Sequence, residues 1–268
     1  MQRRILIVDD HDDLSSALSE VFSKTGYFVK TTENRDDAVR LDLSGDYDVV
    51  ISDLDGENAF SENGENQADI DCLPEPTGDI TNRSHVKAFK VCAKNFRREE
   101  FNEEELKHLF ETVLNYKAQF VDKTNAVKQI REMIEFEFPS AISLMHAILE
   151  YLMKRVEKVG VVNTENSNLF IALDEAFVNA VKHGNKFDAN KIVRITAEVS
   201  TKEARFTIED EGDGFDVAAI PDPRNPENLF KTSGRGVLII HNVMDEVTYN
   251  ERGNRLTMIK RNEKHQEI

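Results

Sequence analysis

The chain has 268 residues, enough for one large domain or two moderate ones, and its hydrophobic and charged fractions, 40% and 31%, argue against wholesale disorder. Its 34 basic and 50 acidic residues give a net charge of −16, which argues against general binding of nucleic acid. Cys72 and Cys92 are too few for a disulfide framework, so we expect free thiols. We expect neither a signal peptide nor a membrane helix, because the apolar run after the first residues is short and none approaches roughly 20 residues. These features predict a cytoplasmic protein that does not contact a membrane.

Short aliphatic runs alternate with amphipathic segments in the first third of the sequence. Residues 5–8 are aliphatic and rich in β-branched side chains, as is typical of a parallel strand buried on both faces. Residues 27–29 and 47–53 are predicted as two further strands, the last with the β-branched run Val-Val-Ile at its centre. Apolar residues at helical spacing occupy 14–22 and 36–43. This order predicts an α/β fold with a doubly wound parallel sheet, in which functional groups lie at the carboxyl ends of the strands.

Three carboxylates are predicted at one such end. Asp9 and Asp10 follow the first run, and Asp53 closes the third. A divalent cation would relieve their mutual repulsion, and Mg²⁺ prefers oxygen ligands of this kind. A carboxylate beside such an ion can act as a nucleophile toward phosphorus.

The runs ILIVDD at 5–10 and DVVISDLDG at 48–56 resemble the receiver domain of bacterial response regulators. The resemblance implies a flavodoxin-like domain over residues 1–101, with Asp53 as phosphoacceptor and an upstream histidine kinase as its partner. It also implies that Asp9, Asp10 and Asp53, with the backbone carbonyl of Asp55, hold Mg²⁺.

The receiver pattern degenerates after residue 56. Residues 57–82 are polar, and the hydroxyl expected after a fourth strand is left open among Thr77, Thr81 and Ser84. Residues 85–96 resemble the fourth helix and the start of the fifth strand. Glu99-Glu100 replaces the Lys-Pro pair of the family, which puts phosphorylation of Asp53 in question. The cations that we consider as substitutes lie nearby: Lys94, Arg97 and Arg98.

Residues 102–131 are predicted to be a helical connector. Asn102 is a suitable N-cap, and acidic residues follow it in the first turn. Two interpretations stay open. The segment is either the last helix of the receiver continuing into a linker, or a stiff rod that couples two domains and pairs with a second copy.

The C-terminal half carries the most specific pattern. The helical segment 169–185 places Glu175 and Asn179 four residues apart on one face, where a carboxylate and an amide can serve as base and Mg²⁺ ligand. A strand then ends at Asp210, whose carboxylate can accept a hydrogen bond from an exocyclic amine. The turn after it contains Gly212 and Gly214, which let backbone approach a ligand.

A glycine-rich segment follows, where Gly234, Arg235 and Gly236 precede a helix whose first N–H groups can face phosphates. The stretches ALDEAFVNAVKHGN, IEDEGDGFD, DPRNPENLFKTSGRG and VLIIHNVMDEVTY resemble the ATP-binding domain shared by histidine kinases, gyrase, Hsp90 and MutL. Within that group they are most similar to anti-sigma-factor serine kinases.

This resemblance covers about residues 132–262, leaving 263–268 as a tail, and implies an α/β sandwich that binds ATP and Mg²⁺. By position, Glu175 would be the catalytic base and Asn179 the Mg²⁺ ligand, while Asp210 would bind adenine. The glycines at 212 and 214 would shape the adenine pocket, and residues 234–236 would wrap the phosphates.

The leading hypothesis is a receiver-controlled serine/threonine protein kinase. The resemblance implies an anti-sigma-factor antagonist protein as its substrate, and leaves open the sequestering of a sigma factor and the formation of a homodimer. Two alternatives remain. One is a non-catalytic switch that binds partners according to its nucleotide state. The other is a histidine kinase using His146, which precedes Glu150 on a helix but lacks the helical hairpin of that class.

Overall fold

A computed structural model describes residues 2–11, 13–42, 47–56, 72–73, 86–98, 101–121, 131–162, 167–216 and 235–262. The chain divides into two compact units, Met1–Phe138 and Pro139–Ile268. The predicted hydroxyl positions, Glu99-Glu100 and the tail 263–268 lie outside the described residues.

The described residues of the first unit form five strands and three α-helices. The strands are β1 (Arg4–Asp9), β2 (Phe28–Thr32), β3 (Val49–Asp55), β4 (Val86–Cys92) and β5 (Arg131–Pro139). The helices are α1 (Asp13–Lys24), α2 (Arg35–Asp42) and α3 (Glu103–Val121), with a 3₁₀ turn at Lys94–Arg98 before α3. The strand order is β2-β1-β3-β4-β5.

The sheet of the first unit is mixed. Strand β1 is parallel to β2 and β3, as predicted, but β4 runs antiparallel to β3, and β5 is parallel to β4. The prediction of a wholly parallel sheet is therefore wrong, as is the helix predicted within residues 85–96. Six of the seven β4 residues are buried, which suits a strand covered on both faces. The α/β class is retained, while a receiver fold is not established.

Helix α3 packs within the first unit. The Asn102 carboxamide accepts the Glu105 N–H at 3.1 Å, so the predicted N-cap is present. The Phe110 ring lies 6.2 Å from that of Phe136 and 5.7 Å from that of Phe138, both on β5. The segment predicted as a connector thus contains a helix that contributes to the core, and the first unit extends past residue 101.

The two cysteines form a disulfide in this structure. Cys72 bonds to Cys92 at the end of β4, and both side chains are buried. The prediction of free thiols is therefore wrong. A separation of 20 residues gives no local signal of pairing, because the contact depends on how the chain returns to the sheet.

The second unit places helices beside an antiparallel sheet. Its helices are α4 (Met145–Val159), α5 (Leu169–Val178) and α6 (Arg235–Val243), and a π-helical turn, Asn179–Gly184, continues α5. Its strands are β6 (Ile192–Val199), β7 (Glu203–Asp210), β8 (Glu246–Tyr249) and β9 (Arg255–Arg261), in the order β6-β7-β9-β8. Helix α5 contacts both α4 and α6.

Helix α5 is held by its apolar face. Its buried residues recur at helical spacing, and they are Leu169, Ala172, Leu173, Ala176 and Phe177. Burial of this face fixes the rotation of the helix. Glu175 and Asn179 are therefore left half-buried on another side, where they can meet a ligand.

Candidate functional site

Glu175 and Asn179 lie one helical turn apart, at the junction of α5 and the π-helical turn. A π turn widens the helix by one residue and is frequent at functional sites. The structure thus has the carboxylate and the amide on adjacent turns, in the arrangement expected from their spacing.

The first turn of α6 lies directly against this pair. A Cβ atom placed on Gly236 would be 2.4 Å from Glu175 Oε2 and 3.7 Å from Asn179 Nδ2. Only glycine fits this position without displacing the carboxylate. The N-terminus of α6, whose N–H groups favour anions, therefore adjoins the predicted base and the predicted Mg²⁺ ligand.

Asp210 is packed against the end of the π turn. A Cβ atom on Gly184 would be 2.3 Å from Asp210 Cγ, so the carboxylate lies flat on glycine backbone. Asp210 Oδ1 accepts the Gly212 N–H at 2.8 Å. Burial raises the pKa of Asp210, and the Gly212 N–H opposes that shift. The Asp210 carboxylate is thus held between the backbone of Gly184 and the N–H group of Gly212.

Gly214 and Gly253 allow two turns to touch. Both have positive φ, +75° and +76°, and a Cβ atom on Gly214 would be 1.8 Å from the Arg252 carbonyl oxygen. The Arg252 guanidinium donates to the Gly212 carbonyl at 2.9 Å, and the Phe215 N–H donates to the Arg252 carbonyl at 3.2 Å. The glycines predicted to shape the adenine pocket thus lie in one backbone cluster.

The predicted phosphate-wrapping residues are only partly within the description. Gly236 is placed, Arg235 begins α6 but its side chain is outside the described atoms, and Gly234 is outside the described residues. Their role toward phosphates therefore stays a prediction.

The first unit brings its predicted carboxylates to one edge of the sheet. Asp9 pairs in register with Asp53, and its side chain is 1% exposed. Its two oxygens accept the backbone N–H groups of His11 at 3.1 Å and Ser15 at 2.8 Å. Asp10 Oδ2 accepts the Asp55 N–H at 3.0 Å.

Asp53 is paired with a lysine that the sequence interpretation missed. Lys117 on α3 places its ammonium group 2.5 Å from both Asp53 carboxylate oxygens, and the lysine side chain is 9% exposed. Burial raises the pKa of Asp53, Lys117 opposes that rise, and the negative charges of Asp9 and Asp55 add to it. Lys117 was not among the substitutes considered earlier, because only the folding of α3 onto the sheet brings a residue 64 positions away to Asp53.

Asp55 contacts one further lysine and one histidine. Lys87 Nζ is 2.7 Å and His11 Nε2 2.8 Å from Asp55 Oδ2. Burial alone would raise the pKa of Asp55, but the hydrogen bonds from Lys87 and His11 outweigh it, so this pKa is lowered. Lys87 arrives here because β4 is antiparallel, which sets the start of β4 beside the end of β3.

These contacts bear on the expected Mg²⁺ site of the first unit. In the part of the chain that the structure describes, no group of three or more His, Cys, Asp or Glu side chains has a geometry suited to a metal ion. The oxygens of Asp9 and Asp53 are engaged by protein donors. Protein groups thus contact carboxylates that the sequence analysis assigned to Mg²⁺, and a Mg²⁺ site over Asp9, Asp10, Asp53 and Asp55 stays a prediction.

Across the described ranges, none of the helices combines the length and the apolar character needed to cross a bilayer.

Comparison with known proteins identifies the second unit. Residues 138–260 match the family model of the histidine kinase-like ATPase domain. Serine-protein kinase RsbW from Staphylococcus aureus strains JH9, Newman and JH1 is 31% identical over 143 residues, covering 50% of this chain and 90% of each relative. The resemblance of the C-terminal half is confirmed, and the resemblance of the first unit to receivers stays a prediction. By its sequence match over the second unit, the chain belongs to the histidine kinase-like ATPase domain family.

Proposed function

We propose that the second unit is an ATP-dependent serine/threonine protein kinase of the anti-sigma-factor type. The observation that carries this proposal is the packing of Gly236 against Glu175 and Asn179, which joins a base, an amide and a helix N-terminus in one place. The relatives named serine-protein kinase support the reaction class. A small antagonist protein as substrate, and a sigma factor as a second partner, follow from the family resemblance.

The proposed reaction uses each group for a separate task. Asp210 accepts a hydrogen bond from the adenine amine, and the N–H groups at the start of α6 face the phosphates. Asn179 supplies an amide oxygen to Mg²⁺, which when bound neutralises phosphate charge. Glu175 takes the proton from a substrate hydroxyl while that oxygen bonds to the γ-phosphorus, and the bond to the ADP oxygen breaks.

Incubation of the full chain with γ-labelled ATP, Mg²⁺ and a candidate antagonist protein tests this proposal. We expect label on a serine or threonine of the antagonist, stable to acid, and none without Mg²⁺. The same reaction with casein as acceptor serves as the control for unspecific transfer.

Other outcomes would favour the alternatives. Acid-labile, base-stable label on the chain itself would indicate phosphohistidine and contradict the serine-kinase proposal. Binding of ATP without label on any of several antagonist proteins would favour the nucleotide-gated binding switch, which does not need the base at 175.

For the first unit, we propose receiver-like regulation through phosphorylation of Asp53, with the phosphoryl group supplied by an upstream histidine kinase. The supporting observation is the buried pair of Asp53 and Lys117, which supplies a cation where Glu99-Glu100 replaces the usual lysine. A phosphoryl group on Asp53 would bring more negative charge to the same ammonium group. Helix α3 is therefore the element whose position would respond.

Acetyl phosphate provides the test of this regulation. We expect the wild-type chain and an Asp13→Asn control, altered at an exposed carboxylate on α1, to gain one hydroxylamine-sensitive phosphoryl group by intact mass. Asp53→Asn should gain none, because the acceptor oxygen is replaced by an amide. Equal modification of Asp53→Asn, or none of the wild type with or without Mg²⁺, would contradict the proposal.

A further inference from the structure

We propose that Asn185 and Asn254 are positioning residues that hold the turn Asp210–Gly212 in the conformation that reads adenine. The inference rests on the proposed ATP site and adds to it two residues that neither the spacing nor the comparisons assign. It starts from the observation that the turn is fixed from opposite sides by two buried carboxamides.

Asn185 holds the turn from the side of the π-helical segment. Its side chain is fully buried, and its Oδ1 accepts the Glu211 N–H at 2.8 Å. Its Nδ2 donates to Ser140 Oγ at 2.7 Å and to the Ile192 carbonyl at 2.9 Å. One carboxamide thus uses donor and acceptor groups to tie the turn to the start of β6.

Glu211 adds a second contact on the Asn185 side of the turn. Its Oε2 accepts the Ile192 N–H at 2.8 Å, so residues 211 and 192 are linked both directly and through Asn185. The reciprocal contacts fix the backbone immediately after Asp210. Because buried polar groups cost free energy when unpaired, each member of such a network holds its neighbours in place.

Asn254 holds the turn from the side of β9. Its Nδ2 donates to the Asp210 carbonyl at 2.6 Å, and its own carbonyl accepts the Asp210 N–H at 3.0 Å. Its Oδ1 accepts a hydrogen bond from Asn250 Nδ2 at 2.9 Å. With 7% of its surface exposed, Asn254 is nearly as enclosed as Asn185.

The contacts of Asn185 and Asn254 determine where the Asp210 carboxylate points. Oδ1 is committed to the Gly212 N–H, so the direction of Oδ2 follows from the backbone of residues 210–212. Recognition of a nucleobase requires that the protein groups contacting it are held within about 0.5 Å of their productive positions. Loosening either asparagine should therefore weaken the distinction between adenine, which offers an amine to Oδ2, and guanine, which offers a carbonyl.

The test compares ATP and GTP affinity of the full chain by isothermal titration calorimetry. We expect Asn254→Ala to weaken ATP binding by roughly tenfold to a hundredfold while GTP binding changes much less, since the lost contact serves the amine-reading carboxylate. Asn185→Ser, which keeps a polar group in the buried site, should likewise weaken ATP binding more than GTP binding. Asn190→Ala, altered at an exposed asparagine five residues away, is the matched control and should keep wild-type selectivity.

The outcomes separate the possible failures. Folded Asn254→Ala and Asn185→Ser, verified by cooperative melting, with unchanged ATP-to-GTP selectivity would overturn the positioning role. A lower melting temperature with selectivity retained would also overturn it, because a merely structural residue does that. A wild-type chain that binds no ATP would instead remove the proposed function on which the inference stands.

Discussion

Replacing Glu175 by glutamine is expected to slow phosphoryl transfer by orders of magnitude while leaving ATP bound. The amide keeps the size of the side chain beside Gly236 but cannot take the proton from a substrate hydroxyl. General base catalysis contributes typically 10²–10⁴-fold, so the rate should fall by about that factor. Single-turnover transfer of labelled phosphate to the antagonist protein, alongside an ATP titration, measures both properties.

Asp174→Asn is the matched control for that substitution, because residue 174 is the neighbouring carboxylate on α5 and should retain wild-type transfer. Gly236→Ala provides a geometric check. Its methyl group would lie 2.4 Å from Glu175 Oε2 and would displace the carboxylate, so we expect this variant to transfer phosphate more slowly too. Normal transfer by Glu175→Gln would show that the proposed base is wrong.

Asp210→Asn is expected to lose nucleotide affinity. An asparagine can still accept the Gly212 N–H through Oδ1, but it then presents an amide N–H₂ group to the adenine amine, and two donors face each other. A hydrogen bond to a charged group contributes about 1.5–3 kcal/mol, so the dissociation constant for ATP should rise by roughly 10- to 150-fold. Calorimetric titration with ATP measures the change.

Two further variants test whether the loss of affinity comes from the Asp210 carboxylate: one disturbs that carboxylate and the other is a control. Gly184→Ala keeps the aspartate at 210 but puts a methyl group 2.3 Å from its Cγ, which must displace the carboxylate, so it too should weaken ATP binding. Asp213→Asn changes a carboxylate that is 85% exposed in the same loop and should bind ATP as the wild type does. If Asp210→Asn keeps full affinity, adenine is not read at this residue.

Local spacing explains why the second unit was predictable. Glu175 and Asn179 are separated by one helical turn, and Asp210, Gly212 and Gly214 lie within five residues, so helix and turn geometry alone bring each group together. The family match then supports the ATP-binding fold. Asn185 and Asn254 gave no such signal, because 26 residues separate Asn185 from Glu211 and 44 separate Asn254 from Asp210.

The first unit was less predictable because its decisive contacts are distant in sequence. Strand β3 and the aspartates at its end follow from the aliphatic run before them. The reversal of β4 does not, since a strand that is buried on both faces has the same composition in either direction. Lys87 and Lys117 reach the acidic edge only through that reversal and through the packing of α3.

The bond between Cys72 and Cys92 offers a way to perturb one unit without any mutation. These are the only cysteines of the sequence, and both belong to the unit ending at residue 138. Closing a loop over a separation of 20 residues contributes about 3 kcal/mol to the free energy of unfolding in the chain-entropy account. Adding dithiothreitol therefore weakens the N-terminal unit and leaves the covalent structure of the ATPase unit untouched. Kinase assays run with and without reductant would thus report how far the chemistry of one unit depends on the integrity of the other.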